Sequence, residues 1–68
     1  MENIEISSEY IELGQFLKVV DLVSSGGEAK SFLRENEVII NEEADDRRGR
    51  KLYKGDIVEV LGKKYRIC

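Results

Sequence analysis

Apolar residues along this chain change period twice. Ile4 and Ile6 alternate with polar neighbours, and Tyr10 and Ile11 resume an apolar stretch after Ser7-Ser8. That pattern predicts a short strand or extended arm. Leu13, Phe16, Leu17, Val20, Leu22 and Val23 then recur mostly at steps of three and four, one face of a helix from about Leu13 to Leu22. Ser24-Ser25-Gly26-Gly27 stops it and starts another. Glu28 stands three residues after Ser25, the capping-box spacing, and Ala29, Phe32 and Leu33 form the next apolar stripe. Asn36 is the expected left-handed residue that ends this helix.

From Val38 the period shortens. Val38-Ile39-Ile40 is a β-branched run and predicts a strand. Asn41-Glu42-Glu43 is turn-like, and Ala44 to Gly49 is polar. Leu52 and Tyr53 lead into a Lys54-Gly55-Asp56 turn. Ile57 to Leu61 predicts another strand. Gly62-Lys63 is a tight turn, and Tyr65 and Ile67 alternate with charged neighbours in a last strand. The order is arm, helix, helix, then three or four short strands. The expected class is α+β, with the two helices covering one face of a small curved sheet.

Size limits what such a chain does. Sixty-eight residues make one small domain, expected to span 1–68, with little room for a deep substrate pocket. Histidine is absent and Cys68 is the one cysteine, so no intrachain disulfide and no Cys/His metal set exists. Cys68 itself reads as incidental. No apolar run reaches the roughly 20 residues of a membrane span, and the N-terminus lacks the basic start of a signal peptide. A cytoplasmic protein is expected, with no membrane partner.

Charge adds what hydropathy does not show. Residues 1 to 46 hold three basic and twelve acidic residues, a formal −9; residues 47 to 68 hold eight basic and two acidic, a formal +6. Five of the eight residues from Arg47 to Lys54 are basic. A positive patch on an acidic molecule is the usual footprint of a polyanion-binding surface. Arg47, Arg48, Arg50 and Lys51 supply planar or compact cations for phosphate, with Gly49 as a bend between them. The plainer alternative is a solvated loop neutralised by Glu42, Glu43, Asp45 and Asp46. Gly26 and Gly27 leave the N–H groups of a helix start unobstructed, which suits an anion, although an interhelix turn needs no ligand. Tyr53, beside the basic run, is the best of the aromatic residues for stacking on a base; Phe16 and Phe32 read as core. Lys63, Lys64 and Arg66 either extend the patch or guard an exposed sheet edge.

Four blocks occur in a familiar order: Leu13-Gly-Gln-Phe-Leu17, Ser25-Gly-Gly-Glu-Ala-Lys30, Val38-Ile-Ile-Asn41 and Lys54-Gly-Asp-Ile-Val-Glu-Val60. They resemble the RNA-binding domain of small-subunit ribosomal protein four (the α-L RNA-binding fold) over a core from residue 13 to 60. The Arg-Arg-Gly-Arg-Lys block is similar to that of stand-alone bacterial YaaA/YbcJ-like proteins. The resemblance implies two helices on a small curved sheet of three to five short strands. It also implies binding of structured RNA, rRNA or tRNA, through the helices and a basic loop. Gln15, Lys18 and Lys30 fall near the helix faces that this family turns toward RNA. The chain departs from the common pattern at Gly14 and Gln15, where Asp-Lys is usual, and at Gly26-Gly27, where a basic residue is frequent. It also departs at Asn36, which replaces a glycine, and at Asn41-Glu42, which replaces Asn-Gly.

Catalysis finds no nucleophile–base pair here, and no cofactor is implied. The acidic cluster around Asp45 reads as solvated rather than as a Mg²⁺ site. The expected function is therefore a non-catalytic, monomeric RNA-binding module, associated with the ribosome or another ribonucleoprotein. The competing expectation is a protein-interaction adaptor using the acidic face, for example against a ribosomal or replication protein. A DNA binder would look much the same in sequence.

Overall fold

The computed structural model describes residues 1–68. The chain runs β1 (Glu2–Ile4), β2 (Tyr10–Glu12), α1 (Leu13–Val19), α2 (Gly26–Glu35), β3 (Val38–Ile40), β4 (Glu43–Ala44), β5 (Lys51–Tyr53), β6 (Ile57–Val60) and β7 (Lys63–Ile67). The α+β class holds, and the main sheet has five strands, the upper end of the expected three to five, but two further strands form a second sheet that was not expected. A mixed five-stranded sheet has the order β1-β7-β6-β3-β4, and a separate antiparallel ribbon joins β2 to β5. The arm became two strands, one in each sheet. β1 lies parallel to β7, and its ladder continues through Cys68 N–H to Ile4 O at 2.8 Å and Ile6 N–H to Cys68 O at 3.0 Å.

Helix α1 stops at Val19 rather than near Leu22. Asp21 takes a left-handed φ of 63°. Its N–H donates to Lys18 O at 3.0 Å, and Leu22 N–H donates to Leu17 O at 2.9 Å. This is the double bond pattern of a Schellman stop, with aspartate where glycine is usual. The apolar periodicity ran through the stop because Leu22 and Val23 still face the core from outside the helix. Helix α2 begins as expected: Ser25 Oγ accepts from Glu28 N–H at 3.2 Å. Its end differs. Asn36 is extended (φ −131°, ψ 138°), not left-handed. It closes the helix by its side chain, Nδ2 donating to Phe32 O at 3.2 Å.

The core lies between the helices and one face of the large sheet. Leu13, Phe16, Leu17, Ala29, Val38, Ile40, Leu52, Val58, Val60 and Ile67 have essentially no exposure. Phe16 meets Tyr65 edge-on, ring centroids 5.3 Å apart at 82°, a favoured aromatic geometry. Phe16 is core as expected, Phe32 is partly buried against it, and the buried Tyr65 has no face for a base. β7 pairs with β6 along its length but with β1 only from Tyr65 to Ile67, so Arg66 guards no sheet edge, whereas Lys63 and Lys64 extend beyond the β1 pairing. The last hairpin turns at Leu61 and Gly62 (φ 51° and 76°), one residue before the expected Gly62-Lys63.

Candidate nucleic-acid interface

The segment from Arg47 to Arg50 is seated on the start of α1. Glu12 precedes that helix and offers no side-chain cap. The first N–H groups of α1 find carbonyls of the basic loop instead: Leu13 N–H donates to Arg50 O at 2.8 Å and Gly14 N–H to Arg48 O at 2.9 Å. These bonds satisfy donors that a helix start leaves orphaned. A methyl built at Gly14 would meet Arg48 O at 3.5 Å, Arg48 Cβ at 3.6 Å and Ala29 Cβ at 3.8 Å, ordinary contact distances, so loop and helix lie close together here without glycine being required. The departure from Asp-Lys at Gly14 and Gln15 is thus the place where loop and helix meet.

Arg48 continues across to α2. Its Nη1 donates to Gly26 O at 3.1 Å. A surface groove results, lined by Glu12, Gly14, Gln15, Lys18, Gly26, Arg48 and Gly49. Gln15 and Lys18 sit three residues apart on one exposed face of α1. At the head of α2, Ser25 Oγ holds Glu28 N–H. The Glu28 carboxylate turns back to Ser24, accepting from its N–H at 3.0 Å and its hydroxyl at 2.7 Å. Those bonds, the Ser24 hydroxyl first, hold the Glu28 carboxyl below its ordinary pKa. Gly26 and Gly27, the first two helical residues, have N–H groups beyond the reach of intrahelical acceptors. Arg48 therefore stands beside the positive end of the α2 dipole. Two positive sources converge there, an arrangement that a bound anion stabilises.

The rest of the basic run is divided. Asp45 Oδ1 accepts from Arg47 Nε at 3.0 Å, and Asp45 Oδ2 accepts from Arg47 Nη2 at 2.7 Å and Arg50 Nη1 at 2.9 Å. Asp45 also accepts from Arg47 N–H at 3.0 Å. The Arg47 side chain foremost, then its N–H and Arg50, hold the Asp45 carboxyl far below the usual carboxylate range. Arg47 and Arg50 line a second depression beside Glu37, Glu43 and Asp46, away from the helix groove. Lys51 turns to a third side, its Nζ 4.9 Å from the centre of the Tyr10 ring. Lys30 is exposed on α2, four residues beyond Gly26, and lines no part of the groove.

Of the nine residues expected from sequence, the groove gathers four: Gln15, Lys18, Gly26 and Arg48. Gly27 adjoins them on α2. Lys30, Arg47, Arg50 and Lys51 lie outside it. Glu12 and Gly14 also line the groove and carried no sequence signal, because Glu12 opposes the expected charge and Gly14 contributes only the absence of a side chain. A continuous charge run in sequence had suggested one patch. Local ion pairing with Asp45 splits it.

Comparison with known proteins identifies the family. The chain is 61% identical over 59 residues to the probable ribosome maturation protein RlbA of Bacillus subtilis (strain 168), an overlap of 87% of this chain and 83% of that relative. The S4 domain model matches residues 4–68. With nearly its whole length matched, this chain belongs to the S4 domain family, a family of RNA-binding domains.

Proposed function

We propose that residues 1–68 act as one non-catalytic module, working as a monomer in the cytoplasm, that grips structured ribosomal RNA or tRNA by its phosphates. The carrying observation is Arg48, which ties the basic loop to the head of α2 and shares one groove with Gln15 and Lys18. One of the five guanidinium donors is engaged by Gly26 O, which orients the fork; the others remain for a phosphate. Gly26 and Gly27 add N–H groups, and Gln15 adds an uncharged donor and acceptor. Lys30 and Lys51 flank the track, while Asp45 restrains Arg47 and Arg50. Such contacts read the shape and backbone of folded RNA rather than its sequence. The relative named as a ribosome maturation protein supports the ribosome as the setting.

Fluorescence anisotropy with rRNA fragments and tRNA across a salt series tests this reading. Affinity is expected to fall steeply with salt. Arg48→Ala should weaken all structured RNAs alike and reduce the salt slope by about one unit. Absence of binding at low salt would overturn the reading. Partners that persist in pull-downs after ribonuclease treatment would then assign the function to the acidic face.

A further inference from the structure

The β2–β5 ribbon carries a face that meets the phosphate groove only at Glu12. Its register places Tyr10 opposite Tyr53 and Glu12 opposite Lys51. Directly opposed residues share a side of a sheet, and all four of these are exposed. Ile11 and Leu52, between them, point the other way, with Leu52 fully buried. The two tyrosine rings lie 5.9 Å apart, inclined at 53°.

Lys51 makes a choice on this face. Glu12 is opposite in register, yet Lys51 forms no ion pair with it and places Nζ over the Tyr10 ring. One face of Tyr10 is therefore covered by a cation. Tyr53, 44% exposed, is the more open ring. Its backbone is held, because Tyr53 N–H donates to Asp56 Oδ2 at 2.8 Å. A fixed aromatic surface with an ammonium beside it matches an unpaired nucleotide, which has a flat base and an adjoining phosphate.

The ribbon is also continuous with the groove. Glu12 belongs to both, one step along the β2 face from Tyr10. Gln15 lines the groove and also a shallow depression of mixed polarity, lined by Ile4, Ile6, Ile11 and Val19 together with Glu5, Ser7 and Ser8, that reaches Tyr10. A chain whose phosphates lie along Lys18 and Arg48 meets the tyrosines as it leaves.

We propose that Tyr53, with Tyr10 and Lys51, is a stacking platform for an unpaired base of the bound RNA. The proposal rests on the RNA reading of the groove. Tyr53 stacks on the base, and Lys51, steadied by Tyr10, meets the neighbouring phosphate. The module then prefers junctions between paired and unpaired RNA over continuous duplex.

Two RNAs of equal charge test this. Both are the same short duplex with overhangs at the 3′ and 5′ ends; one carries adenosines there, the other abasic residues. The wild-type protein is expected to bind the adenosine form about 10-fold more tightly, within the range for one base stacked on an aromatic ring. Tyr53→Ala should erase that preference and leave binding of the abasic form unchanged, whereas Tyr53→Phe should keep it. Equal affinity of the wild type for the two RNAs, or a preference that survives Tyr53→Ala, would overturn the platform. If both RNAs bind equally and Arg48→Ala weakens both, the groove stands and the platform alone falls. If neither RNA binds, both readings fall together.

Discussion

Asp45 decides how much of the basic loop is free. Its carboxylate holds Arg47 and Arg50, while its own N–H donates to Val38 O at 3.0 Å, so the same residue joins the loop to β3. The carboxyl is depressed in the folded state, so it contributes stability at a pH above its unfolded value of about 4. That contribution is lost as pH falls from there toward the folded value. The Arg47 side chain is 70% exposed, and solvent screening keeps the effect to about 1 kcal/mol. Asp45→Asn is therefore expected to cost about 1 kcal/mol at neutral pH, with the gap to wild type narrower at about pH 3 but not yet closed. Urea unfolding of both proteins at the two pH values checks this; an unchanged gap would show that the ion pairs contribute nothing.

At the scale of elements, the hairpins carry strain that their twist requires. Two-residue hairpin loops favour positive φ at both central positions. Asn41 and Glu42 meet this at 50° and 72°, and Leu61 and Gly62 at 51° and 76°. Asn41 is supported: its Nδ2 donates to Asp56 Oδ1 and its Oδ1 accepts from Ile57 N–H, both at 3.0 Å. Leu61 is 60% exposed, so little packing offsets its left-handed backbone. Leu61→Asn would create the preferred Asn-Gly turn and should raise stability by about 1 kcal/mol. A urea midpoint that does not rise would mean that Leu61 gains more from its surroundings than its exposure indicates.

Across the whole molecule, a thin margin of stability and a divided charge set the behaviour. The core is small, and Phe16 stands near its centre against Tyr65. Phe16→Ala should cost about 3–5 kcal/mol, a large part of the roughly 5–15 kcal/mol that stabilises a typical domain. Circular dichroism in a urea titration should show a variant already partly unfolded without denaturant; a cost below about 1 kcal/mol would place the centre of the core elsewhere. The formal charge of −3 does not prevent anion binding. At physiological salt the screening length is about 8 Å, well short of the molecule's 26 Å long axis. A phosphate placed in the groove would meet Lys18, Arg48 and the nearby helix dipole, opposed locally by Glu12.

The sequence by itself determined what depends on near neighbours. Apolar spacing marked both helices, Ser25 marked the start of α2, β-branched runs marked β3 and β6, and the charge split marked the basic half. Each is decided within about one helical turn or one strand pair. Tertiary structure alone decided the rest. β1 pairs with β7 and β2 with β5 across most of the chain, and no local period encodes such partners. α1 ends early through an aspartate that carries no glycine signal. The basic run divides because folding sets Arg48 against Gly26, Arg47 and Arg50 against Asp45, and Lys51 against Tyr10. Charge is additive along a sequence, but side-chain direction is not. Only the packed backbone determined which cations face a common groove.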